Sequence, residues 1–240
     1  MKSSLFRFAR RGAACLGYGT PGGLRKAMLA AAVTLSALAA PGWALAQTVT
    51  IAAMGDSLTA GYGLRGGQGF VPQLQAWLDE RGADVRLVNA GVSGDTTRGG
   101  LARLDWTLQP SVDAMILALG GNDLLRGTDP ASSRRNLEGI ILAAREKKVE
   151  VLLVGLVASR NFGPEFKQAF DGMYPALAER HGVLYEKDFL GPITARTETA
   201  GLLLKYLQDD RLHPNAAGVE LIVENLGPRV LELAEAVRAR

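Results

Sequence analysis

Ile51-Ala52-Ala53-Met54-Gly55-Asp56-Ser57-Leu58 is an apolar run cut off by a Gly-Asp-Ser turn. An apolar run without polar alternation is the pattern of a strand covered on both faces, as in a parallel sheet. A serine where such a strand ends stands on rigid backbone at the rim of the sheet. It is both fixed and reachable there, which a nucleophile needs.

Outward from that strand, which begins at Thr48, the pattern repeats. Val85–Asn89, Val112–Leu119, Val149–Leu156 and Val183–Tyr185 read as four more strands. Helical spacing fills the gaps. Phe70–Arg81 places Phe70, Leu74, Trp77 and Leu78 on one face, Arg98–Leu108 ends before Pro110, and Ala131–Lys147 and Pro164–Arg180 follow. Asn215–Val237 closes the chain as an amphipathic helix with a kink point at Gly227-Pro228. Alternation of this kind predicts an α/β fold, a parallel sheet with helices on both faces. Ligands in such folds bind beyond the carboxyl ends of the strands. Ser57 follows the first strand, Gly91–Asp95 the second and Gly120–Asp123 the third, and Asp210–His213 lies beyond the last. All the segments with chemical potential are therefore expected on one rim.

The first 46 residues read differently. Lys2, Arg7, Arg10, Arg11, Arg25 and Lys26 precede an apolar run from Met28 to Ala40, and Ala44-Leu45-Ala46 has the small-x-small form of a cleavage site. The run is too short to span a bilayer comfortably. These features predict a cleaved secretory signal peptide over 1–46 and a single domain over 47–240, exported to the periplasm or the medium. Arg10-Arg11 is a weak twin-arginine signature, and Cys15 has no lipidation context. The six basic residues of this leader come from 27, and none of the 24 acidic residues lies there. The remainder thus holds 21 basic against 24 acidic residues, so the basic balance is no nucleic-acid footprint. The only cysteine leaves with the leader, which removes disulfides and thiol nucleophiles.

Ser57 is the leading nucleophile; its bland alternative is a turn serine capping a helix. Ser93 is the other candidate, but it lacks a Gly-x-Ser-x-Gly elbow. Of the two histidines, His181 sits in a Glu-Arg-His-Gly helix ending, where positive charge suits the dipole. His213 is then the expected base. Asp210, three residues earlier, can fold back on its ring, while Asp209 reads as a solvated neighbour. Asn122 ends an apolar strand with an amide donor, and Gly94 offers an unobstructed N–H; both suit an oxyanion. Gly61-Tyr62-Gly63-Leu64-Arg65-Gly66 matches G-x-G-x-x-G but starts too far past the first strand for a dinucleotide site, and Asp84 precedes the second strand. It reads as a rim loop. No cluster has metal-ligand spacing.

Four ordered blocks, Gly55–Gly61, Asn89–Thr96, Gly120–Asp123 and Asp210–Pro214, resemble the SGNH (GDSL-type) hydrolases along the whole chain from Thr48 onward. More narrowly, the chain resembles the bacterial periplasmic arylesterase/acyl-CoA thioesterase/lysophospholipase subgroup. The resemblance implies a flavodoxin-like, three-layer α/β/α fold with a five-stranded parallel sheet. It also implies Ser57 as nucleophile, His213 as base, Asp210 as orienter, and an oxyanion hole from the N–H groups of Ser57 and Gly94 plus the Asn122 amide. The expected activity is hydrolysis of acyl esters and thioesters (aryl esters, acyl-CoA, lysophospholipid) with no cofactor. The partner is a small acyl substrate, with no nucleic acid and no membrane anchor after cleavage, and a monomer is favoured. Leu156–Pro164, with Phe162, and Gly201–Leu207, with Leu207, are expected to wall an apolar acyl groove. A carbohydrate O-acetylesterase on the same triad, or a non-catalytic lipid- or glycan-binding module, are the alternatives.

Overall fold

The computed structural model describes residues 48–195 and 204–240; the expected leader with its cleavage site, and the Gly201–Leu203 part of the expected groove wall, lie outside them. β1 (Val49–Gly55) is buried along its whole length. It pairs in parallel with β2 (Val85–Gly91) on one side and β3 (Ala114–Ala118) on the other. β4 (Glu150–Val154) and the three-residue β5 (Leu184–Glu186) extend the sheet, giving the order β2-β1-β3-β4-β5, parallel throughout. The register sets Gly55 opposite both Gly91 and Ala118, so the three segments that follow these strands leave the sheet at one level.

Two helical layers cover the sheet. α2 (Phe70–Glu80) packs against the long carboxy-terminal helix, here α9 (Ala216–Arg238). On the opposite side, α6 (Pro130–Glu146) packs against both α3 (Thr97–Ala102) and α7 (Pro164–His181). The α2–α9 contact is close because Gly227 has no side chain: the Trp77 ring lies where a Cβ would stand. α9 carries Pro228 inside it and α7 carries Pro175. β3 and most of β1 and β4 are almost wholly withdrawn from solvent, and each fully buried Leu, Ile or Val contributes about 1.5–3 kcal/mol of transfer free energy.

Three short helices stand outside the periodic segments: α1 (Ser57–Ala60), α5 (Gly121–Leu125) and α8 (Gly191–Thr194). They are too short to show an amphipathic period. The expected helix Arg98–Leu108 is two, α3 and α4 (Leu104–Thr107), which meet at Arg103. The Arg103 guanidinium is drawn inward, pairing with Asp95 at 2.7 Å and donating to the Gly55 carbonyl at 3.1 Å.

Candidate active site

The turn after β1 is fixed by Asp56. Its side chain is buried and caps α1 by accepting from the Leu58 N–H at 3.1 Å. The same carboxylate accepts from Asn122 Nδ2 at 3.3 Å, across from the start of α5. Ser57, the first residue of α1, is thereby held at the rim with the amide of Asn122 close by. Burial pushes the Asp56 carboxyl up to about 6, against the opposing pull of its hydrogen bonds from Leu58 and Asn122.

The second half comes from a loop whose His213 is 156 residues on from Ser57. His213 Nε2 lies 2.8 Å from Ser57 Oγ, and His213 Nδ1 lies 2.6 Å from Asp210 Oδ2. Asp210 Oδ1 accepts from the backbone N–H groups of Leu212 and His213, at 2.9 and 3.0 Å. The backbone N–H of His213, its ring and the Leu212 N–H together hold the Asp210 carboxyl down to about 2. Asp210 is thus an anion through the neutral range and an acceptor for Nδ1–H, which leaves Nε2 free to take a proton from Ser57. The turn between the two residues is made by Arg211 in the left-handed region, φ 57°. Asp209 is exposed.

Gly94 sits at the same mouth with φ 82°, and its carbonyl accepts from Arg126 Nη2 at 3.1 Å. The loop that carries it is tied to the third block by buried Asp123, which accepts from the Thr97 N–H, the Thr97 hydroxyl and the Ser133 hydroxyl at 2.8, 2.6 and 3.0 Å. Ser57, Gly94, Asn122 and His213 all line one cavity of about 500 Å³. Its remaining wall is largely apolar, with Leu58, Leu124, Leu125, Leu156, Val157 and Leu190.

Ser93 also borders this cavity, but His213 Nε2 is engaged by Ser57. His181 ends α7, with its Nε2 3.0 Å from Glu138 Oε1, away from the site. Phe162 and Leu207 are not among the residues lining the cavity. Phe162 is half exposed and packs on Phe166, ring centroids 5.0 Å apart, and Leu207 forms an isolated bridge with Pro214. Gly61–Gly66 is a rim loop, as expected, and it does more than turn: Tyr62 lies against His213, ring centroids 4.8 Å apart. Sequence reasoning missed Asp56, Tyr62, Asp123 and Arg103 as site residues. Asp56 alone had a signal, an acidic N-cap two residues before Leu58.

The protein has relatives of known kind. A family model described as the GDSL-like Lipase/Acylhydrolase family matches residues 53–221. Esterase TesA of Pseudomonas aeruginosa is 39% identical over 191 residues, 79% of this chain and 90% of that protein. An arylesterase of Vibrio mimicus is 34% identical over 172 residues, 71% of this chain and 82% of that protein. Among solved structures, an SGNH-hydrolase family esterase, AlinE4, is 41% identical with a TM-score of 0.62, covering 77% of this chain and 96% of that one. A crystal structure of TesA superposes with a TM-score of 0.69 at 36% identity, covering 77% of this chain and 99% of that one. With the family model spanning all four motif blocks, the chain belongs to the GDSL-like lipase/acylhydrolase family.

Proposed function

We propose that the chain is a serine esterase that hydrolyses carboxylic esters and thioesters of medium or long acyl groups. The observation that carries this reading is the unbroken chain from Ser57 Oγ through the His213 ring to Asp210 at the mouth of an apolar cavity. Ser57 Oγ attacks the acyl carbonyl while His213 Nε2 takes its proton, and Asp210 steadies the imidazolium that forms. The oxyanion is received by the N–H groups of Ser57 and Gly94 and by Asn122 Nδ2. His213 returns the proton to the departing alcohol or thiol. It then deprotonates a water that attacks the acyl-enzyme, releasing the acid and restoring Ser57 Oγ–H. The relatives' names, esterase, arylesterase and "Thioesterase 1/protease 1/lysophospholipase L1", support aryl esters, acyl-CoA and lysophospholipids as the substrates to try. The apolar wall favours a longer acyl group over acetyl, because a chain placed there trades water for Leu and Val side chains. The basic head and apolar run before residue 47 support export to the periplasm, with residues 47–240 as the working hydrolase domain.

The test is hydrolysis of p-nitrophenyl esters from acetate to laurate, with Ser57→Ala alongside. The expected result is an optimum at medium or longer chains and a loss of roughly 10⁴–10⁶-fold in kcat for the variant. Activity confined to acetate would point to a deacetylase instead, and binding without turnover to a non-catalytic module.

A further inference from the structure

The loop that carries His213 is largely exposed, yet its ring must stay within hydrogen-bond reach of Ser57. Two side-chain amides fasten it. Asn215 caps α9 and donates from Nδ2 to the Lys205 and Leu207 carbonyls at 2.8 and 3.1 Å, which ties the loop to the helix behind it. Gln208 works on the other side. Its Nε2 donates to the Tyr62 carbonyl at 2.8 Å and to the Pro214 carbonyl at 2.9 Å. Its backbone accepts from the Arg211 N–H at 2.9 Å and donates to the His213 carbonyl at 2.8 Å. A single residue therefore joins the rim loop after α1 to both flanks of His213.

We infer that Gln208 is a positioning residue for His213, acting through the Gly61–Gly63 loop rather than on substrate. This deepens the triad reading above and rests on it. Two features of the rim loop fit the role. Gly63 has φ 74°, and a Cβ there would run into Gln208 Oε1, so the glycine keeps the berth for the amide open. Tyr62, whose carbonyl receives Gln208, also sets its ring against the imidazole at 4.8 Å. The clasp bridges 146 residues of sequence, so the His213 loop is located relative to the β1–α1 turn and not only to its own neighbours. Loosening it lets the ring drift from Ser57, while Gln208 itself is not part of the lining of the acyl cavity.

The test uses Gln208→Ala and, from the other side of the clasp, Gly63→Ala in the full chain. Each is assayed for kcat and KM on a p-nitrophenyl ester, with circular dichroism to establish folding. The NMR signal of the His213 ring is followed as well, simply identified because the sequence holds only two histidines. Misplacement of a reacting group by about 1 Å costs up to ~100-fold. The expected result is a fall in kcat of about 10- to 100-fold with KM within threefold, and a displaced His213 ring signal in a folded protein. A kcat within threefold of the parent, or a His213 signal identical to the parent's, in folded Gln208→Ala would overturn the role. So would a loss of activity explained by unfolding in Gln208→Ala while folded Gly63→Ala stays fully active. Full activity in Ser57→Ala would instead sink the triad reading itself, which separates the two failures.

Discussion

The two carboxylates that flank Ser57 are held in opposite ways. Asp56 is buried at the end of β1, and withdrawal from water pushes its carboxyl up to about 6. Asp210 sits on an exposed loop, its side chain 39% accessible, and three hydrogen bonds pull it down to about 2. One is built into the core and serves geometry: it caps the helix that Ser57 begins and tethers Asn122. The other is at the surface and serves charge, staying ionised to orient an imidazole. Ser57 and the Asn122 amide thus inherit the rigidity of the sheet, while the His213 ring depends on a few hydrogen bonds across the molecular surface.

The largest effect is expected on the Asp210 side. Asp210→Asn keeps the shape but removes the anion and favours the wrong tautomer of His213, so kcat should fall by roughly 10³–10⁴-fold with little change in melting temperature. A loss below tenfold would mean that the charge is not needed, and the contrast would collapse. On the core side, Asn122→Ala removes an amide that Asp56 holds in place. It should lower kcat by about 10²–10³-fold, and a change under threefold would take Asn122 out of the oxyanion hole.

The smallest effect concerns stability. Asp56 ionises at about 6 in the fold against 3.8 as an ordinary carboxyl. A raised carboxyl favours the folded state below 3.8 and opposes it once both states are ionised, so its cost grows as pH rises from 4 through 6. The full span is on the order of 3 kcal/mol. Asp56→Asn removes that dependence, so denaturant melts of parent and variant should diverge in the variant's favour between pH 4 and pH 8. A difference that does not change with pH would show that Asp56 is not strained by burial.

The sheet was legible because burial on both faces leaves a long apolar run, as at Ile51–Met54 and Val112–Leu119. The convergence on one rim followed from topology, and the fold does bring Ser57, Asn122, Gly94 and His213 to one cavity, with Asp210 against the His213 ring. What stayed hidden depends on long-range pairing. Asp123 reaches Thr97 and Ser133, Arg103 reaches Gly55, and Gln208 reaches Tyr62. Each of these is an ordinary polar residue until the fold brings its partner near. The expected wall segment Leu156–Pro164 reaches the cavity at Leu156 and Val157, whereas Phe162 and Leu207 do not line it and Leu124 and Leu125 do; apolar character alone does not give direction, which the fold supplies.

The central claim is that Ser57 is the nucleophile activated by the His213–Asp210 pair. Its most direct test is to treat the folded protein with a fluorophosphonate ester and map the adduct by peptide mass spectrometry. A single phosphonyl group on the Ser57 peptide, lost in the variant with Ala at 57 and slowed in Asp210→Asn, is the predicted result. Labelling of Ser93, or no labelling of a folded protein that still hydrolyses esters, would contradict it.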